Sequence, residues 1–292
     1  MINTPELTAI IPVGPLAGHL NQLKETLMKC REFPIQVVIV CDDYEDGTIA
    51  ELEVLLEGNF NNIQLITGHF GGPGPARNAG LHVAISPWVA FWDADDYPDP
   101  QESYRSLQGT QDEGIDLICH QYSINDANSL NKIYQSDLRD SDRDNLRAVG
   151  TQPGIWRFLF ARDLISDSEF IDSRMGEDQE FLARMFTKKP KIKFVKNSNY
   201  RYLVSRSGQL TGNKSNISQL TRIAPLLKAS YERSPSKYKE SIRLMLNQVV
   251  LTMVQSKNVK VRMFALKHLA LNPLLFLKSF GTILSEKRLR NV

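Results

Sequence analysis

The stretch PWVAFWDADDYPDP (87–100) decides the fold class, because an apolar run passes directly into a cluster of acids. Residues 88–92 are apolar without alternation, which is typical of a strand that is buried on both faces of a parallel sheet. Asp93, Asp95 and Asp96 follow at once. Ligand sites of open α/β sheets lie beyond the carboxyl ends of their strands. We therefore expect a polar site at this edge of a parallel sheet.

Three earlier apolar runs have strand length: LTAIIPV (7–13), IQVVIVC (35–41) and NIQLIT (62–67). Stretches with helical spacing separate these runs from one another and from the fourth strand. The order βαβαβαβ predicts an α/β sandwich that is built on a mostly parallel, Rossmann-like sheet between helices. From residue 215 the pattern is helical to residue 292, so we predict one domain at 1–214 and a C-terminal helical region at 215–292.

The overall charge excludes one class of partner. Lys and Arg number 35 against 33 Asp and Glu, a net charge of +2. A general nucleic-acid binder would carry a larger basic excess, so we expect no nucleic-acid partner. After residue 256, however, eight Lys and Arg accompany a single acid, Glu286. The C-terminal region is therefore basic.

The cysteines and the chain's start indicate a compartment. Cys30, Cys41 and Cys119 show no CxxC spacing, which argues against a disulfide framework and a zinc site. The polar N-terminus lacks the basic and apolar regions of a secretion signal, and no apolar stretch has spanning length. We expect a cytoplasmic protein with reduced thiols.

Asp93 and Asp95 are the candidate metal ligands. In extended backbone two residues in this spacing point to the same side, and their carboxylates would repel each other without a cation between them. Mn2+ or Mg2+, bound by one or two carboxylates and a substrate diphosphate, meets that need. The alternative is a simple turn, because Asp is favoured in turns and the following residues 97–100 read as one.

Two further loops follow the second and third strands. GGPGPARNAG (71–80) can present backbone N–H groups and Arg77 to a phosphate at a helix start, or it can be a structural turn. Asp42, Asp43 and Asp46 can accept hydrogen bonds from a base or ribose, or Asp46 can cap the next helix.

Later segments offer a second set of candidates. Glu177 and Asp178 open a helix, where acids are ordinary partners of the helix dipole but where a carboxylate can also act as a general base. Trp156 is either a core residue or a platform for a sugar face. Arg206 and Thr211 are either surface residues or a clamp on a diphosphate.

Six segments together resemble the motifs of the family 2 glycosyltransferases, inverting enzymes with the GT-A fold. They occur in the family's order along residues 7–211, and the segment 91–96 resembles the one that holds the DXD motif. The segments are IIP (10–12), VVIVCDDYEDGT (37–48), GGPGPARNAGL (71–81), FWDADD (91–96), GEDQEF (176–181) and YLVSRSGQLT (202–211).

The resemblance implies roles for the residues of the first four segments. Pro12 would shape the base pocket, and Asp42 and Arg77 would bind the nucleotide. Asp93 would face the ribose and the metal, and Asp95 would bind the metal and the diphosphate. This chain departs from the family after IIP, where Val-Gly-Pro-Leu (13–16) replaces the usual aromatic residue and Asn.

The last two segments would complete the site. By the same resemblance, Asp178 is the catalytic base, assisted by Glu177, and Arg206 contacts the diphosphate. The implied activity is metal-dependent inverting transfer of a sugar from a nucleotide-diphosphate sugar to a glycan or lipid-linked acceptor. The implied process is synthesis of a cell-surface polysaccharide.

Two other functions remain open on the residues alone. A sugar nucleotidyltransferase would need a glycine-rich, basic loop directly after the first strand, and IPVGPLAGHL (11–20) lacks one. A non-catalytic nucleotide-sugar or carbohydrate-binding protein of the same fold would have no need for Asp93, Asp95 and Asp178 together.

The basic C-terminal run also has two interpretations. It can make a peripheral contact with the inner face of the cell membrane, or its helices can pack into a subdomain. Packing is favoured by Leu271, Leu274, Leu275 and Phe276, which are bulky residues to leave exposed.

Overall fold

The computed structural model describes residues 4–14, 20–42, 48–56, 62–110, 113–204 and 214–277. The chain forms two compact units that interleave along the sequence. The first holds Met1–Leu138, Trp156–Asp172 and Pro190–Ser205, and the second holds Arg139–Ile155, Ser173–Lys189 and Arg206–Val292. The second unit thus adds two earlier segments to the C-terminal region, and the domain boundary at 214/215 stays a prediction.

The first half of the sheet is parallel, as the continuous apolar runs predict. Its strands stand in the order β3-β2-β1-β4. They are β1 (Leu7–Val13), β2 (Ile35–Asp42), β3 (Ile63–Gly68) and β4 (Trp88–Phe91). The helices between them are α1 (Leu20–Cys30), α2 (Thr48–Leu56) and α3 (Pro73–Val83). The predicted α/β sandwich is confirmed.

The second half of the sheet is mixed and continues from β4. Its strands are β5 (Tyr97–Pro98), β6 (Leu117–Asp126), β7 (Lys132–Gln135), β8 (Phe158–Ala161) and β9 (Ile192–Val204). The order runs β4-β8-β6-β9-β5, and β7 pairs with β6. Among the described strands of this half, only β6 and β9 are parallel neighbours, while β8, β7 and β5 pair antiparallel. Helices α4 (Pro100–Gln108) and α6 (Arg162–Ile165) also belong to the first unit.

Helix α3 lies unusually close to the centre of the sheet. A Cβ atom placed on Gly80 would come within 2.4 Å of Cγ2 of Ile10 on β1, so only glycine fits at this position. This close approach fixes α3, and with it Arg77, against the central strand.

The second unit is helical within its described ranges. It contains α5 (Asp142–Thr151), α7 (Glu177–Thr187), α8 (Leu220–Arg233), α9 (Ser236–Val254), α10 (Val259–Leu271) and α11 (Pro273–Leu277). Helix α5 approaches α9 closely, since a Cβ on Gly150 would lie 2.7 Å from Cα of Ser241. The Ser241 hydroxyl also donates to the Leu146 carbonyl at 2.6 Å. Among the described helices, none is both long and apolar enough to cross a bilayer.

The expectation that the bulky residues of the C-terminal helices are buried is wrong for two of the four. Leu271 and Leu274 are 69% and 74% exposed, whereas Phe276 is buried. The amide of Asn247 on α9 donates to the Leu275 carbonyl at 3.1 Å and holds α11 against α9. Residues 274 and 276 lie on nearly opposite sides of a helix, so Phe276 turns inward and Leu274 turns outward.

The three cysteines are free and buried, as the sequence predicts. Burial raises the pKa of Cys41 to about 12 and that of Cys119 to about 11. The pKa of Cys30 is raised as well, by the same loss of solvation. These thiols are therefore protonated packing residues rather than nucleophiles.

A buried histidine makes stability depend on pH. His120 is 0% exposed, its Nδ1 lies 3.3 Å from the Arg157 carbonyl oxygen and its Nε2 lies 2.9 Å from the Ser106 hydroxyl. Burial lowers the pKa of His120 from 6.5 to about 4. The unfolded chain therefore binds more protons than the folded one between these values, and the free energy of unfolding falls as pH falls through that window.

We expect His120 to contribute a loss of about 2 kcal/mol between about pH 7.5 and pH 5. Urea unfolding at both pH values measures this loss. His120→Gln, which cannot titrate, should have a smaller pH dependence than the wild type. Equal slopes in the two proteins would contradict the assignment.

Candidate active site

The register of the central strands aligns two of the sequence-predicted site residues. Ile10 pairs with Phe91, and the N–H of Trp92 donates to the Ile10 carbonyl at 3.0 Å. Pro12 and Asp93 each lie two residues further along, so they stand at the same level of the sheet's carboxyl edge. Pro12 is half-buried there.

Asp42, at the end of β2, holds the glycine loop that precedes α3. Its Oδ1 accepts hydrogen bonds from the N–H groups of Phe70 at 2.5 Å and Gly71 at 2.8 Å. Gly71 has a φ of +84°, a conformation that favours glycine. Asp42 therefore shapes the loop, and its contact with a nucleotide stays a prediction. Asp43 and Asp46 lie outside the described residues.

Arg77 is a buried cation that pairs with the first acid of the cluster. It is 5% exposed, and its Nη2 donates to Oδ1 of Asp93 at 3.0 Å. Its guanidinium lies 5.5 Å from the ring centroid of Phe170. The amide of Asn78 holds the Phe170 backbone with two hydrogen bonds, of 2.8 and 2.7 Å. The neighbours Arg77 and Asn78 thus share one anchor, and Arg77 offsets the charge of Asp93.

The three acids after β4 differ in their surroundings. The side chain of Asp93 is 28% exposed and Asp95 is also partly exposed, whereas Asp96 is 1% exposed. Asp96 accepts from the Leu203 N–H at 2.8 Å and from the Tyr200 hydroxyl at 3.0 Å. Its own N–H donates to the Asp93 carbonyl at 3.3 Å, which closes the turn that the alternative interpretation expects. The turn orients the cluster, and Asp96 anchors it.

The carboxylates after β4 could provide some of the ligands of a divalent cation, but not all of them. Both oxygens of Asp96 accept hydrogen bonds inside the protein, whereas Asp93 and Asp95 are partly exposed, so the latter two are the candidate ligands of an ion. Within the described residues, no group of three or more His, Cys, Asp or Glu could hold a metal ion. Two carboxylates fit Mn2+ or Mg2+ when a diphosphate and water complete the oxygen shell.

Tyr200 is a site residue that the sequence did not reveal. It is 1% exposed, and its hydroxyl accepts from the Asp93 N–H at 3.0 Å while donating to Oδ2 of Asp96 at 3.0 Å. Burial, together with the charges of Asp96, Asp93 and Asp95, raises the pKa of Tyr200 well above its ordinary value. The hydroxyl is therefore a permanent donor. The sequence signal was only the alternation in YRYLV (200–204), which places Tyr200 and Tyr202 on one face of a strand.

Trp156 packs against the same strand. Its ring stacks on Tyr200 with centroids 4.5 Å apart and on Tyr202 at 5.5 Å, and it meets the edge of Tyr122 at 4.8 Å. Trp156 is half-buried, so it packs in this aromatic cluster while part of its surface stays exposed.

The second unit contains Glu177 and Asp178, at the start of α7. Gly176, with a φ of +83°, precedes the helix, and a Cβ there would come within 3.1 Å of Leu220 Cδ2. Asp178 is half-buried, and its Oδ1 accepts from the Gln179 N–H at 2.7 Å. The carboxylate therefore sits at the positive end of the helix dipole.

The acids around Asp178 are more deeply buried. Glu177 is 6% exposed and Glu180 is 4% exposed, and Glu180 forms two 3.0 Å hydrogen bonds with Arg184. The remaining predicted residues, Arg206 and Thr211, lie outside the described residues.

This chain is similar to known glycosyltransferases. The family model described as glycosyl transferase family 2 matches residues 17–166, just over half of the chain. The glycosyltransferase GlyG of Streptococcus pneumoniae is 20% identical over 229 residues, which cover 73% of this chain and 75% of GlyG. The poly(ribitol-phosphate) beta-N-acetylglucosaminyltransferase TarS of Staphylococcus aureus is 24% identical over 212 residues, which cover 70% of this chain but 36% of TarS.

Solved structures have the same fold. A crystal structure of S. aureus TarS 1–349 in complex with UDP-GlcNAc matches with a TM-score of 0.64 and 16% identity, over 95% of this chain and 80% of that one. The mannosyltransferase PcManGT of Pyrobaculum calidifontis, in complex with GDP-Man and Mn2+, matches with a TM-score of 0.57 and 14% identity, over 98% and 85%. The expected GT-A fold is confirmed, and the chain belongs to glycosyl transferase family 2.

Proposed function

We propose that the protein transfers a sugar, with inversion, from a nucleotide-diphosphate sugar to a glycan or lipid-linked acceptor of a cell-surface polysaccharide. The observation that carries this proposal is the linked cluster of Arg77, Asp93, Asp96 and Tyr200 at the carboxyl edge of the sheet. Support for the donor and the process comes from TarS, a poly(ribitol-phosphate) glycosyltransferase whose structure holds UDP-GlcNAc.

Residues at the carboxyl edge of the sheet would bind the donor sugar nucleotide. In this proposal Pro12 borders the base, Asp42 and Arg77 bind the nucleotide, and Asp93 faces the ribose. Asp93 and Asp95 would hold Mn2+ or Mg2+. When bound, such an ion neutralises the negative charge that develops on the departing diphosphate. PcManGT, which shares the fold, was solved with Mn2+.

Asp178 would be the catalytic base. The Asp178 carboxylate would take the proton of the acceptor hydroxyl while that oxygen forms a bond to the anomeric carbon. The bond from this carbon to the diphosphate breaks on the opposite face, so a single displacement inverts the configuration. Glu177 would assist Asp178, and Arg206 would contact the diphosphate. We place the reaction in the cytoplasm, with peripheral contact at the inner face of the membrane through the basic C-terminal region.

The metal role is tested by chelation. Excess EDTA should reduce sugar transfer by about 100-fold or more, and added Mn2+ should restore it, because the diphosphate loses its counter-charge without the ion. In Asp95→Asn, added Mn2+ should fail to restore transfer. Asp163→Asn is the control, since Asp163 is an exposed acid on α6. Full transfer in excess chelator would remove the metal from the proposal.

The base is tested by Asp178→Asn. We expect kcat to fall by a factor of about 10² to 10⁴, while the dissociation constant of the nucleotide stays within about twofold. Asp144→Asn is the matched control, because Asp144 also lies in the first turn of a helix, α5. An effect confined to the donor KM would make Asp178 a binding residue. Release of nucleoside diphosphate by the wild type separates an enzyme from a non-catalytic binding protein.

Tyr200→Phe tests the hydrogen bonds that orient the acid cluster. The variant keeps the ring packing but deprives Asp96 of a donor and the Asp93 N–H of an acceptor. We expect the free energy of unfolding to fall by about 1–3 kcal/mol. We also expect the Mn2+ concentration for half-maximal transfer to rise by about tenfold or more, since a bond worth about 1.4 kcal/mol changes an equilibrium tenfold.

Tyr202→Phe is the control for this substitution, because Tyr202 stacks on the same Trp156 ring. The two variants should differ in their Mn2+ requirement. If both lost stability and transfer in parallel, with the Mn2+ requirement unchanged, Tyr200 would be a structural residue only.

A further inference from the structure

Helix α10 presents apolar residues on two opposite faces. Val261 and Ala265 are 4% and 0% exposed, on the side that packs on α9. Val259, Met263 and Leu266 are 59%, 60% and 46% exposed. Their spacing of four and three residues puts these three side chains in one row, opposite the buried pair. We call this row the outward stripe.

Cations border the outward stripe on both sides. At about 100° per residue, Lys260 and Lys267 lie on one side of the stripe and Arg262 lies on the other. All three are exposed. The whole stretch from residue 241 to residue 285 contains no Asp or Glu. The outward face of α10 therefore combines exposed apolar surface with unopposed positive charge along its own segment.

This charge pattern distinguishes between two candidate partners of the outward stripe, a second copy of the chain and a lipid bilayer. A second copy that docked stripe to stripe would bring Lys260, Arg262 and Lys267 of both copies together, with no acid of this segment to pair with them. An anionic bilayer offers apolar depth for the row and phosphate groups for the cations on both flanks. The long Lys and Arg side chains can reach the headgroups while their apolar stems lie along the surface.

We propose that α10 is a membrane-contact helix, which lays Val259, Met263 and Leu266 into the surface of an anionic bilayer with Lys260, Arg262 and Lys267 on the headgroups. The buried face of the same helix keeps it attached to α9. This surface stands apart from the chemistry of transfer, and it gives the peripheral contact specific residues.

The experiment is sedimentation of the full chain with vesicles. We expect binding to vesicles of phosphatidylcholine with about 30% phosphatidylglycerol at about 0.1 M salt, little binding at about 0.5 M salt, and little to phosphatidylcholine alone. Met263→Gln with Leu266→Gln should lower the partition coefficient by about tenfold or more. Replacing Lys260, Arg262 and Lys267 with Gln should do the same.

Matched control variants keep the number of changes and replace apolar or cationic residues with Gln in the same way. Val54 and Ile85, exposed apolar residues of the first unit, are replaced together with Gln. Lys24, Lys132 and Lys196, exposed cations of the same unit, form the second control. Both controls should bind as the wild type does. Unfolding temperature, and release of nucleoside diphosphate without vesicles, should be the same in all variants, which separates this proposal from the proposed function.

Three outcomes would overturn the proposal. The wild type could stay in the supernatant with anionic vesicles at low salt. The controls could lose binding as much as the stripe variants, which would indicate general attraction rather than a face. Self-association at micromolar protein concentration that the stripe variants abolish, with vesicle binding unchanged, would assign the stripe to a second copy.

Discussion

The site depends on one buried carboxylate that the protein satisfies completely. Asp96 is held by a side chain and a backbone group of the same strand, Tyr200 and Leu203 of β9. Burying a carboxylate without hydrogen-bond donors would be costly. Because both bonds come from β9, the turn after β4 takes its position from a strand that follows it by about 100 residues. Asp93 and Asp95 belong to the same turn, so β9 also determines where they lie.

Tyr200 also connects chemistry to packing. Its hydroxyl spans the first and last acids of the cluster, while its ring is stacked on Trp156. A tyrosine ring with only two side-chain torsions, held by an aromatic neighbour, orients its hydroxyl at little entropic cost. Arg77 also connects an acid of the cluster to the packing around it. Its guanidinium bonds Asp93 and lies over the ring of Phe170, and Asn78 holds the backbone of Phe170. These contacts within the protein thus fix the positions of the acids.

The parallel half of the fold was predictable because its signal is local. Strands β1, β2 and β4 are continuous apolar runs, and α1 and α2 show helical spacing of their own. The mixed half was not, because the direction of β8 or β5 depends on partners far along the chain. For the same reason residues 93–96 alone were enough to propose an acidic site. They were not enough to show that Asp96 is a buried anchor whereas Asp93 and Asp95 are partly exposed. Asp96 differs from Asp93 and Asp95 because Tyr200 and Leu203 donate hydrogen bonds to it. Nothing in the sequence around Tyr200 and Leu203 indicates this distant contact.

The C-terminal helices show a different limit of sequence reasoning. Membrane contact and packing were opposed interpretations, because both were assigned to the segment as a whole. A helix has two sides, however, and in our proposal α10 packs on α9 with one side and contacts the membrane with the other. Val261 and Ala265 are small enough to bring α10 onto α9, and the larger Met263 and Leu266 lie on the opposite side. The fraction of apolar residues in such a helix does not show which face packs on the protein. The angles of these residues around the helix axis do show it, and with it which apolar face is left exposed.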